Sequence, residues 1–180
     1  MITNTEFVRG QQHFLQGEFS RSIGDFCDAL EHGVDPHMIF LPLGLAHLKN
    51  GDFAAAEEDF SYALELDEKN DTALFLRGIA YLNNDEAEKA LGDLDEAIRL
   101  NSGRGAAFVA RSLALRELRR GREAEDDLRT AFSLADVEVE TFMKEYCISQ
   151  SMHRRTLTLF DVKREAWTEE LREELFRKVH

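Results

Sequence analysis

The sequence predicts an all-α fold of four stacked helical hairpins closed by a helical C-terminal cap, and three observations carry that expectation. Ala29, Ala63, Ala97 and Ala131 recur every 34 residues, as do Asp25, Asp59, Asp93 and Asp127. Apolar residues follow helical spacing with almost no strand-like alternation. Only Pro36 and Pro42 interrupt the 180 residues, so long helices can run unbroken.

The registry divides residues 3–138 into units 3–36, 37–70, 71–104 and 105–138 and leaves 139–180 as the cap; slots are counted from 1 within each unit. Slot 8 holds Gly10, Gly44, Gly78 and Ser112, slot 20 holds Ser22, Ala56, Ala90 and Ala124, and slot 24 holds Phe26, Phe60, Leu94 and Leu128. Small residues let two helix backbones approach while Phe or Leu fills the space between them, so each unit is expected to be a hairpin. Gly17, Gly51 and Asn83-Asn84-Asp85 mark the turns inside the first three units. In the fourth, Arg119-Arg120-Gly121 places its glycine two slots late, and an altered turn is expected. Asp35-Pro36 reads as N-cap and first residue of the second hairpin, and Asn70-Asp71 as the cap of the third. Pro42, well inside a helix, predicts a kink or a late start.

Arg9, Arg77 and Arg111 share slot 7 in units that carry Asp at slot 23, which predicts an ion pair across each hairpin. Unit two has Leu43 there, so Asp59 is expected to turn to Arg77 or to solvent. His13 and His47 share slot 11 and read as packing residues.

These residues resemble the tetratricopeptide repeat family. Unit two reads Phe40-x2-Leu43-Gly44-x2-His47, then Ala56-x3-Phe60-x2-Ala63; unit three reads Leu74-x2-Arg77-Gly78-x2-Tyr81, then Ala90-x3-Leu94-x2-Ala97. The family's closing proline is absent, its slot holding Val34, Glu68, Ser102 and Asp136. The resemblance implies a right-handed α-solenoid whose concave face is lined by the first helix of each hairpin, at slots 2, 5, 6, 9, 12 and 13. The peptide-binding groove is then expected at Met38, Leu41, Leu45, Phe75, Leu76, Ile79, Val109 and Leu113. Family members that grip acidic chaperone tails use a clamp of Lys, Asn and Arg at slots that here hold Phe7, Gln11, Pro42, Thr72 and Leu76, none a cation, so that specificity is not expected.

Formal net charge is −13. Residues 1–100 carry 20 acids against 7 Lys and Arg, whereas residues 101–180 carry 15 of each. Such a field repels phosphate backbones and anionic membranes, so neither nucleic acid nor membrane is expected as a partner. The start has no leader-like pattern and no stretch approaches a membrane span, which together predict a cytoplasmic protein. Cys27 and Cys147 lack CxxC spacing, the histidines are scattered, and no nucleotide, metalloprotease or nucleophile-elbow motif occurs. Neither enzyme activity nor a metal or cofactor is expected.

The function these features predict is a protein-interaction module, adaptor or chaperone-like, that binds an apolar peptide or helix with basic flanks in its groove. The alternative is a self-assembling subunit, a homodimer included, in which another copy buries the groove or the C-terminal helix. Val139 to Met152 reads as one further helix, and another from about Asp161 carries Trp167, Leu171, Leu175 and Val179 at every fourth residue, a candidate self-interface. The first of these helices is expected to cover the last hairpin, and the tail beyond it could fold onto its own groove, pack beside the last repeat, or dock on a second copy.

Overall fold

The structure, a computed structural model, describes residues 5–134 and 139–161. Eight helices form four consecutive hairpins: α1 (Thr5–Leu15) with α2 (Phe19–Glu31), α3 (Pro36–Asn50) with α4 (Phe53–Leu66), α5 (Asp71–Asn83) with α6 (Ala87–Leu100), and α7 (Gly105–Glu117) with α8 (Gly121–Ser133). Two further helices follow, α9 (Val139–Tyr146) and α10 (Gln150–Asp161). Each helix packs on its predecessor and its successor from α1 to α8, which makes the array a solenoid. No strand occurs among the described residues.

Within a hairpin, the two helices meet where slot 8 faces slot 24. A Cβ built on Gly10, Gly44 or Gly78 would lie 2.7–2.8 Å from Phe26, Phe60 or Leu94, so the absence of a side chain sets the approach. In the fourth hairpin Ser112 takes the position and turns its hydroxyl to the Val109 carbonyl at 2.7 Å. Caps fall as the residue chemistry requires: Asp35 accepts from the His37 amide and Asn70 from the Ala73 amide. Helix α3 begins at Pro36 and runs through Pro42 to Asn50 without a break, so the late start that Pro42 suggested does not occur.

The fourth turn corrects a sequence expectation. In all four hairpins the slot 16 amide donates to the slot 11 carbonyl: Glu18 to His13, Asp52 to His47, Glu86 to Tyr81 and Arg120 to Leu115, at 2.8–2.9 Å. The intervening left-handed residue is Gly17, Gly51, Asp85 and Arg119, with φ of 76°, 88°, 61° and 59°. The backbone is therefore the same in every turn. Gly121, which suggested an altered loop, is instead the first residue of α8, and Arg119 carries the left-handed conformation at a cost of roughly 1–2 kcal/mol.

The ion pairs fall where expected. Arg77 donates to Asp93 at 2.6 and 2.8 Å and Arg111 to Asp127 at 2.8 and 2.6 Å, and Arg9 pairs with Asp25. Asp59, however, binds His47 at 2.6 Å, and Arg77 reaches Ser61 rather than Asp59. His13 meets Asp25 at the same distance, so slot 11 supplies a polar partner to slot 23 in the first two hairpins. Burial raises the Asp59 pKa while its hydrogen bond and charge interaction with His47 oppose the rise.

Two glycine substitutions should separate packing from propensity. Gly44→Ala forces a methyl against the Phe60 ring and should cost about 1–3 kcal/mol, whereas Gly24→Ala, in a helix with open space around it, should gain up to about 1 kcal/mol. Urea unfolding midpoints that move in opposite directions would bear this out.

Candidate functional site

The concave face is built from α1, α3, α5 and α7, and the structure divides it into a filled part and an open part. In the filled part, Phe75, Leu76, Ile79, Val109 and Leu113 are buried and belong to one continuous apolar cluster with Phe142, Cys147 and Met152 of the C-terminal segment. Helix α10 packs on both α5 and α7, and the Phe75 and Tyr146 rings meet edge to face at 5.1 Å. Helices α9 and α10 thus fill the groove over hairpins two to four, rather than covering the outer side of the last hairpin. Trp167, Leu171 and Leu175 lie outside the described residues.

The C-terminal segment is two helices with a break, where the sequence suggested one helix from Val139 to Met152. The cause is Asn83, only 3% exposed at the end of α5. Its side-chain oxygen accepts from the Ile148 and Ser149 amides at 2.9 and 2.7 Å, and its amide donates to the Tyr146 and Ile79 carbonyls at 2.8 and 2.9 Å. One side chain thus satisfies the backbone groups that the helix break frees. Ser149 then caps α10 by accepting from the Met152 amide at 3.0 Å. Helix α10 ends at Asp161 among the described residues, so a helix is already present ahead of the position where the sequence suggested one begins.

Asn83 has two counterparts in its slot. Lys49, at slot 13 of the second hairpin, binds the Glu145 carboxylate at 2.8 Å and its carbonyl at 2.5 Å. Glu117, at slot 13 of the fourth, pairs with Arg155, which also donates to the Leu82 carbonyl at 2.6 Å and pairs with Asp85 at 3.0 Å. A cation, an amide and an anion therefore meet an anion, a backbone turn and a cation in order along the groove. Arg155 sits against the carboxyl ends of α5 and α7, where helix dipoles favour positive charge. Burial lowers its pKa while Asp85 opposes the change. The Lys49 hydrogen bond holds Glu145 below the usual carboxylate range, and burial raises the Cys147 thiol despite its bond to Thr156.

The open part lies between α1 and α3. Gln11, Phe14, Leu15, Phe26, Pro42 and Leu45 line a cavity of about 400 Å³. Leu15, the slot 13 residue of the first hairpin, is 84% exposed; Met38 is 52% and Val8 42% exposed. Leu41 and Leu45 are partly buried against the core. Among the expected groove residues, then, only those of the second hairpin retain solvent-accessible apolar surface.

Among the described residues there is no group of three or more His, Cys, Asp or Glu placed to hold a metal ion, and no helix long and apolar enough to cross a membrane. The architecture is that of a helical-hairpin repeat protein whose concave face is partly filled by its own C-terminal segment. The Tetratricopeptide repeat family model matches residues 41–106, most of the second hairpin and all of the third. No curated protein matches its sequence. Among solved structures it is similar to MamA at 18% identity, over 87% of this chain and 96% of that one, with a TM-score of 0.67. A MamA structure from Desulfovibrio magneticus RS-1 aligns over 74% of this chain and 77% of its own, with 16% identity and a TM-score of 0.69. YrrB, described as a TPR protein with an unusual peptide-binding site, aligns over 84% of this chain and 71% of its own, with 19% identity and a TM-score of 0.66. At these identities the likeness concerns the fold.

The Lys49–Glu145 pair gives the cap a pH signature. Because the folded-state pKa of Glu145 is depressed, its contribution to stability is present above the ordinary value near 4.5 and is lost as pH falls through the depressed one. Melting curves of the wild type and Glu145→Gln should therefore differ at pH 7 and converge in that acidic window, Glu145 being a half-exposed group with a modest effect.

Proposed function

We propose that this protein is an interaction module that holds an apolar segment of another protein at the open, N-terminal end of its concave face. The observation that carries the proposal is the exposure of Leu15, which lines the cavity together with Phe14 and Leu45. Burying Leu15, Met38 and Leu45 contributes about 1.5–3 kcal/mol each at full burial, enough to offset the ordering of a short helix. The excess of acids in residues 1–100 favours a segment with basic flanks through long-range steering. YrrB, with its peptide-binding site, is a solenoid of the same fold put to a comparable use.

The module works as an adaptor or chaperone-like holder rather than as a catalyst. Its polar clusters are ion pairs that join helices within a hairpin, as at Arg77–Asp93 and Arg111–Asp127, or that tie the C-terminal segment to the groove, as at Lys49–Glu145 and Glu117–Arg155. We place it in the cytoplasm, a reducing compartment that suits its two free thiols, Cys27 and Cys147.

A fluorescent amphipathic Leu/Lys helix tests both halves of the proposal against a Leu/Glu helix of equal apolar content. The basic helix should bind the full chain, and the Leu15→Glu, Leu45→Glu double variant should weaken it by about tenfold or more, near 1.4 kcal/mol, while keeping a cooperative melt. Equal binding of both helices would remove the basic-flank assignment, and binding unaffected by the double variant would remove the site.

A further inference from the structure

The groove over hairpins two to four is a second polypeptide site, and the chain shows what that site recognises by filling it. Three features of α9–α10 are those of a bound ligand. Asn83 addresses backbone groups of residues 146, 148 and 149, which any polypeptide could present. Lys49 and Glu117 pair with Glu145 and Arg155 in complementary order. The solenoid beneath is closed without the segment, because α3, α5 and α7 each pack on their own hairpin partner and on the helices of the adjoining hairpins. The apolar floor cannot stay bare, since Phe75, Ile79, Val109 and Leu113 together would form a large exposed patch, so the segment leaves only by replacement.

We propose that α9–α10 is a resident, exchangeable ligand, and that the foreign segment replacing it carries the same pattern. That pattern is a carboxylate followed at once by an aromatic residue, then a helix break, and a cation ten residues beyond the carboxylate, as in Glu145, Tyr146, Ile148-Ser149 and Arg155. The slot 13 residues Lys49, Asn83 and Glu117 are the specificity determinants. This site is distinct from the open end between α1 and α3, so either can fail without the other.

The probe is a labelled synthetic peptide of residues 139–161 with the natural sequence, titrated against full-length chains. In the wild type the tethered segment competes at millimolar effective concentration, so the peptide should bind weakly. Weakening the resident copy with Tyr146→Ala and Arg155→Ala should raise peptide affinity by about tenfold or more. Adding Asn83→Ala to that chain should abolish the gain, whereas adding Leu15→Glu should leave it intact. No gain in the weakened chain, or a gain insensitive to Asn83→Ala, would overturn the proposal.

A second measurement requires no variant. In the wild type, the amides of Ile148 and Ser149 should exchange with solvent through a local opening, well before those inside α5 and α7; exchange only at the global unfolding rate would make the segment a permanent cap and overturn the proposal. A concentration-dependent dimer lost in Asn83→Ala would assign the site to a second copy's segment and overturn the foreign partner.

Discussion

Two helices that must lie against each other along their whole length need a place where backbones nearly touch, and here that place is slot 8. Gly10, Gly44 and Gly78 admit the faces of Phe26, Phe60 and Leu94 at distances no side chain would allow. The hairpin angle that results brings slot 7 opposite slot 23, which is why Arg77 and Arg111 find Asp93 and Asp127 across the interface. It also turns slots 5, 6, 9 and 13 of the first helices toward a common concavity. Packing, ion pairing and the groove are thus consequences of one close approach repeated along the chain.

The hairpins were legible in the sequence because their determinants are local and repeated: small residues at slots 8 and 20, large ones at slot 24, caps at Asp35 and Asn70. Glycine position was a poorer guide at the fourth turn, since the six-to-one hydrogen bond from Arg120 to Leu115 dictates the backbone and Arg119 submits to it. The partner of Asp59 is less legible, because His47 reads as a packing residue while its ring nitrogen also makes it a hydrogen-bonding group.

The C-terminal segment was harder to read, for a different reason. Residues 139–152 have an uninterrupted helical pattern, and nothing within them demands a break at Cys147–Ser149. The break depends on Asn83, more than 60 residues earlier in sequence. Slot 13 is among those expected to face the groove, yet Lys49, Asn83 and Glu117 share no chemistry, so their common role emerges only from the segment they hold. The Ser149 cap was the one local clue that a new helix starts there.

The core is itself divided. Phe26, Ala29, Ile39, Leu43 and Ala46 form a small cluster that roots the first hairpin, while the larger one runs from Leu48 to Met152 and includes the C-terminal segment. Opening free energies follow buried apolar contact, so the array has a stiff keel and a softer prow. A guest seated in the cavity lined by Phe26 and Leu45 would touch both clusters at once. It would act as a splint, and its binding energy would be felt as rigidity in the first hairpin as much as affinity in the groove.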